Sequence, residues 1–339
     1  MRCPTATGRH AVTMPAISIE RRFTVKLHIA TLPAAALALA CQFALAAPLA
    51  YVPNEGSGTI SVIDTGTDAV VKEIKAGKKP RGIATSAAAN AVYVSDQPNN
   101  TLLVIDIGLQ AVADQIDLGE SPEGVGISAD GKLVAAAVEI SNSVALIDAA
   151  TKAKLANIKV EGKNPEHAVF SPDGKWIFVS AEEATQVDII DVSQRKQVAS
   201  VPVGRRPRGI GFLPDSSKAY VACELDSTVF VIDVANRKVL KKLKAGMFSN
   251  GVAVRPDAKR VFISNGKDGT VSVIDTSTDE FIATIPVGKR PWNMAVTPDG
   301  KKLYVATGRS NAVSVIDTET NQKIKEIPVG ELPWGVAIH

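Results

Sequence analysis

The chain has 339 residues, with 38 Lys and Arg against 35 Asp and Glu and a formal charge of +3. Five of the basic residues (Arg2, Arg9, Arg21, Arg22, Lys26) and one acidic residue, Glu20, fall in residues 1–46, leaving 33 basic and 34 acidic residues in the rest. A body so balanced has no overall positive field, which excludes strong non-specific attraction to nucleic acid or acidic membranes.

The first predicted element is a leader over residues 1–46. Lys26 and His28 precede an apolar run, Ile29 to Ala46, that ends in Ala44-Leu45-Ala46 and is followed by Ala47-Pro48. That is the pattern of a secretory signal peptide, so an exported, periplasmic protein starting near Ala47 is expected, with no transmembrane span in its mature form. Residues before about 25 are not needed by such a signal, and Met14 or Val25 is a candidate initiator. Ala38-Leu39-Ala40 before Cys41 is a poor match to a lipid-attachment pattern, and no lipid anchor is expected. Cys3 and Cys41 belong to the leader. The exported chain keeps Cys223 alone, so no internal disulfide is expected and stability must come from a core.

From Ala47 onward the sequence repeats. The triplet Val-Ile-Asp or a close variant ends at Asp64, Asp106, Asp148, Asp191, Asp233, Asp275 and Asp317, at spacings of 42, 42, 43, 42, 42 and 42. A marker proline keeps the same period at Pro80, Pro122, Pro165, Pro207, Pro291 and Pro333, with Ser249 in the missing place. Each unit reads as four short strands. In the unit from Pro291 to Gly330 they are WNMAVT, KLYVAT, AVSVID and KIKEIPV, joined by turns such as Pro298-Asp299-Gly300. A fixed period of roughly 40 to 45 residues with strand-like content predicts an all-β, seven-bladed β-propeller filling residues 47–339 as one domain. The chain enters at a second strand and leaves after a first strand. The last strand, about Trp334 to Ile338, is therefore expected to pair with Leu49 to Pro53 and close the ring.

The recurring YVPN, YVSD, YVAC, FISN and YVAT stretches, each followed by a Val-Ile-Asp strand and a Pro-Val-Gly ending, resemble the YVTN-repeat β-propellers over essentially all of residues 47–339. The ending VGELPWGVAI is similar to that of YVTN propellers associated with PQQ-dependent alcohol catabolism. The resemblance implies an exported seven-bladed protein, of a kind often without a known activity.

The seven repeated aspartates sit on seven different blades and are expected to serve their turns, not one pocket. No loop has the spaced acidic ligands of a calcium site. Functional signal is sought instead where the repeat varies. The residue after the marker position faces the central channel and reads Arg81, Glu123, Glu166, Arg208, Asn250, Trp292 and Trp334 around the ring. Arg81 is expected to meet Glu123, and Glu166 to meet Arg208. Trp292 and Trp334 are expected to be neighbours through ring closure. Either these side chains form a neutral rim plugged by tryptophan, or they form a ligand site with an aromatic platform and an anion grip. His167 stands where Gly82, Gly124, Gly209, Gly251 and Gly335 stand in other repeats, as a packed histidine, a haem ligand or a general base. Lys79, Arg205, Arg206, Lys289, Arg290 and Arg309 fall in loops of the same face. Cys223 is read as a buried filler and Trp176 as packing between blades on the opposite face.

Nothing in the chain assembles a nucleophile, a base and an orienting group, and no metal site or resident cofactor is expected. The leading expectation is a monomeric, non-enzymatic accessory protein that binds a small molecule or an envelope protein through the channel mouth. The alternatives are a lactonase-like hydrolase using His167, Glu166, Glu123 and Arg208, a haem- or quinone-linked accessory factor, or a single-stranded DNA binder that stacks bases on Trp292 and Trp334. A c-type haem would need Cys-x-x-Cys-His, which the sequence lacks.

Overall fold

The computed structural model describes residues 47–339. The expectations for the leader, with Met14, Val25, Cys3 and Cys41, lie outside the described residues. Those described form seven four-stranded antiparallel sheets. Blade 1 is Leu49–Asn54, Thr59–Asp64 and Ala69–Lys75 plus Ala337–Ile338 from the C-terminus. Blades 2 to 7 follow as residues 80–117, 122–159, 165–202, 207–244, 249–286 and 291–328. This is the seven-bladed propeller that the period predicts.

Burial explains the sequence pattern of each strand. The second and third strands of a blade lie between two neighbouring blades and bury both faces, so they read as continuous apolar runs: all six residues of Ala91–Asp96 are buried. The fourth strands edge the disc and are exposed along most of their length, as Ala69–Lys75 is, with alternation in Lys196–Pro202. The apolar residues gather into seven clusters, each shared by two adjacent blades. One of them joins Tyr304, Val313 and Val315 of blade 7 to Ala50, Val52, Ile63 and Val336 of blade 1, so the ring is closed by core as well as by backbone.

The recurring tyrosine has a tertiary purpose in three of four blades, the Tyr51 hydroxyl having no partner. Tyr51, Tyr93, Tyr220 and Tyr304 are fully buried at the same place in their blades. The Tyr93 hydroxyl donates to Ala149 O of the next blade at 2.7 Å, Tyr220 donates to Asp279, and Tyr304 donates to Asp68. Each bond fastens a blade to the turn of its neighbour. The seven repeated aspartates cap their own turns, as Asp64 does by accepting from Gly66 N and Thr67 N at 2.9 and 2.8 Å.

The closing strand is shorter than the sequence suggests. Only Ala337–Ile338 pairs continuously with Leu49–Asn54, through Ala50↔Ile338 and Tyr51↔Ala337, with an isolated bridge from Asn54 to Pro333. Trp334 N still donates to Pro53 O at 2.9 Å. Between the two contacts the C-terminal segment carries one residue more than its partner. The same excess breaks the inner strand of every other blade.

Candidate functional site at one mouth of the channel

The extra residue is a β-bulge just after the marker position, and it aims the next side chain at the channel mouth. In blade 2, Pro80 pairs with Asp96 and Ile83 with Val94, so Arg81-Gly82 face a single residue. The glycine of the bulge packs against the next blade. A Cβ on Gly82 would lie 2.2 Å from Glu123 O, and one on Gly251 2.4 Å from Trp292 O. The repeat therefore keeps glycine where neighbouring inner strands touch.

Three concentric rings of side chains result. The inner ring holds Arg81, Glu123, Glu166, Arg208, Asn250, Trp292 and Trp334, which the sequence picks out. The second ring follows each second strand and reads Glu55, Gln97, Glu139, Glu182, Glu224, Gly266 and Gly308. It was not singled out from sequence, although the same period would have found it. The third ring precedes the marker and reads Lys79, Ser121, Asn164, Arg206, Phe248, Arg290 and Leu332. All of these but Lys79 adopt positive φ, between 52° and 59°. Glu55, Arg81, Glu166, Glu182, Arg206, Arg208, Arg290 and both tryptophans enclose a cavity of about 330 Å³.

The arginines of the mouth are engaged by carboxylates. Arg81 pairs with Glu123 and with Glu55 at 3.0 Å. Arg208 pairs with Glu166, with Glu182 at 2.6 Å and with Glu224 at 3.0 Å. Arg206 sits between Glu182 at 2.7 Å and Glu224 at 3.3 Å. The two inner-ring pairs expected from sequence thus form, inside a larger network. Burial, followed by the charge of Glu166, pushes the Glu123 carboxyl up to about 9 against the pull of Arg81. Burial raises Glu139 as well. Glu123 Oε2 has no hydrogen-bond partner.

Below the mouth, His167 closes the channel. Its ring stacks on Trp334 with centroids 5.5 Å apart and planes at 21°. Trp334 is buried and acts as part of the plug, whereas Trp292 remains partly open and lies on Gly308, where a Cβ would stand 2.4 Å from its ring. Neither ring nitrogen of His167 has a hydrogen-bond partner, and the half-buried ring lines a small cavity of about 150 Å³. Asn293 lies alongside without a bond of ordinary geometry. Burial and then the Arg208 charge lower the imidazole to about 3, so it is neutral. Asn293 is the second blade position that lacks the bulge glycine, and sequence reading passed over it. His167, Asn293 and Trp334 come from blades 4, 7 and 1 and line the small axial cavity together.

Of the remaining sequence-marked residues, Asn250 is buried in the rim, and Arg205 is held by Asp226 at 2.7 Å. Lys79 approaches Glu55 at 4.0 Å. Cys223 is buried, and burial raises its thiol to about 12. Trp176 packs between blades 4 and 5 with Arg237 4.6 Å above its ring. Among the described residues, no group of three or more His, Cys, Asp or Glu is placed to hold a metal ion, and no helix is long and apolar enough to cross a membrane.

The fold defines the class, a closed seven-bladed propeller with a charged mouth. A family model described as "Lactonase, 7-bladed beta-propeller" matches residues 191–328, less than half of the chain. No curated protein matches. Among solved structures, the chain is similar to the hydrazine synthase of Kuenenia stuttgartiensis, at 23% identity and a TM-score of 0.72 over 79% of this chain and 91% of that one. It is also similar to a functionally unknown protein of Desulfotomaculum acetoxidans DSM 771, at 18% identity and a TM-score of 0.75 over 86% of this chain and 98% of that one. At such identities the likeness concerns the fold.

Proposed function

We propose that this is an exported accessory protein of the cell envelope that binds a partner through the face carrying the channel mouth, on the pattern of the YVTN-repeat propellers it resembles. The observation that carries this reading is the state of the mouth's reactive groups. The arginines of the inner ring are already paired, and the one histidine there is neutral, half-buried and stacked on Trp334, with both ring nitrogens enclosed. Such a surface suits recognition better than proton transfer, because a general base must reach its substrate. The opposite face consists of repeated turns whose sequences follow from turn chemistry alone.

The test compares charge reversals on the two faces in partner capture from periplasmic extract. Lys79→Glu with Lys289→Glu is expected to abolish recovery of specifically retained proteins, and Lys175→Glu with Lys301→Glu to leave it intact. The reverse pattern would sink the reading.

A lactonase-like activity is the second reading, favoured by the family match and by Glu123, a carboxyl that keeps its proton at neutral pH. Hydrolysis of sugar lactones by the wild type, lost in Glu123→Gln, would establish it in place of the first.

A further inference from the structure

The second ring is interrupted where the third ring is most basic. Arg206 and Arg290 hold equivalent positions, two repeats apart. Arg206 is clamped by the second-ring glutamates of its two flanking blades, Glu182 and Glu224. For Arg290 both equivalents are glycine, Gly266 and Gly308. Arg290 instead lies across Gly266, its Nη1 2.9 Å from where a Cβ would be, and reaches over blade 6 to Glu224 at 2.7 Å. Around it Lys267, Lys289 and Arg309 are exposed and have no carboxylate within 4.0 Å among the described residues. Those three cations, Arg290 and Arg206 border a groove of about 1060 Å³ that crosses blade 6 from blade 5 to blade 7; its acidic lining residues are Glu224, already paired with Arg290, and Asp268, which accepts from Met247 N. With no side chain at residue 266, the Arg290 guanidinium itself lies along the floor of that groove. Leu225 lines it and is 47% exposed, and Met247 beside Phe248 is 45% exposed.

Resting on the partner-binding reading above, we infer that this groove takes an extended acidic segment of the partner, whose carboxylates fill the places that glutamates fill around Arg206. Charge complementarity selects this occupant. The ring supplies carboxylates to its arginines on blades 4 and 5 and withholds them on blades 6 and 7, and the unpaired cations cluster where they are withheld. The groove is long and open. Single exposed ion pairs are weak, so useful affinity needs several carboxylates side by side together with apolar contacts to Leu225 and Met247. An acidic segment with interspersed leucines offers both. The faces of Phe248 are already used by Lys267 and Arg290, at 5.6 and 5.7 Å, which favours a chain of side-chain carboxylates over a flat stacked ligand.

The test is fluorescence anisotropy with the chain from Ala47 to His339 and a fluorescein-labelled octapeptide of alternating glutamate and leucine. The account expects saturable binding that weakens as salt rises, with no binding of the matching lysine–leucine peptide. Lys289→Glu with Arg309→Glu should weaken binding at least about tenfold. Gly266→Glu restores the glutamate of the other blades beside Arg290 and should compete from within, also weakening binding. Its melting temperature, measured alongside, verifies the fold. Lys175→Glu with Lys301→Glu, the same charge change on the opposite face, should leave binding unchanged. Equal binding of both peptides, or equal weakening by the opposite-face pair, would overturn the inference. So would displacement of the peptide by citrate at the peptide's own concentration, because the occupant would then be a small polycarboxylate. If the peptide fails while the face-specific capture described above succeeds, the groove is wrong and the partner-binding reading stands.

Discussion

Two titratable groups at the mouth carry opposite pH dependences. His167 has a folded pKa near 3, below its ordinary value, so between about 6.5 and 3 the unfolded chain binds the extra proton. Its contribution is present above that window and is lost as pH falls through it, by up to about 1.4 kcal/mol per unit. Glu123 has a folded pKa of about 9, above its ordinary value, so the folded chain holds the extra proton from about 4.5 upward. Its contribution is lost as pH rises through that interval. His167→Phe keeps a ring on Trp334 and removes two buried nitrogens without partners. It is expected to match or exceed wild-type stability at pH 7 and to gain on it steadily toward pH 4, read by denaturant midpoints. Glu123→Gln retains a polar group opposite Arg81 and Gln97 but releases no proton, so its melting temperature should change less than the wild type's between pH 6 and 9. An equal alkaline decline in both proteins would show that Glu123 is ionised throughout.

At the scale of the strand, the repeat made most of the architecture legible. Its apolar runs mark strands packed on both faces, and its Asp and Gly mark turns that need those residues. The bulge was not legible, because the glycine at residue 82 is required by the backbone of blade 3, 42 positions away in the chain. For the same reason the closing strand reads longer in sequence than it is. The inner ring was found by asking where the repeat varies. The glutamate ring is not legible because the residue after each second strand has the polarity of any loop, and Asn293 is not legible because an asparagine in a loop-side strand position carries no chemical signal of its own. Closure gives a prediction at this scale. Deleting residues 333–339 removes Trp334 and Val336 from the core and the backbone bonds to Leu49 and Pro53. At about 1.5–3 kcal/mol for each buried side chain, the loss is expected to reach about 5 kcal/mol, seen as a lowered melting temperature or loss of the cooperative transition. An unchanged transition would mean that the ring does not depend on this clasp.

For the whole molecule, the decisive asymmetry lies between the two faces of the disc. One face repeats the same turns blade after blade. The other accumulates three rings of differing charge, a cavity at the axis and a basic groove over blade 6. Seven similar interfaces leave stability evenly shared around the ring, so a propeller can vary one face while its cores hold the shape. Lysine-directed crosslinking in intact periplasm, followed by mass spectrometry, tests this division most directly. Lys79, Lys267 and Lys289 stand on the mouth face, and Lys132, Lys175 and Lys301 are at least 70% exposed on the other. Crosslinks to other proteins are expected from the first three. Crosslinks confined to the second three would place function on the face of repeated turns and contradict the account.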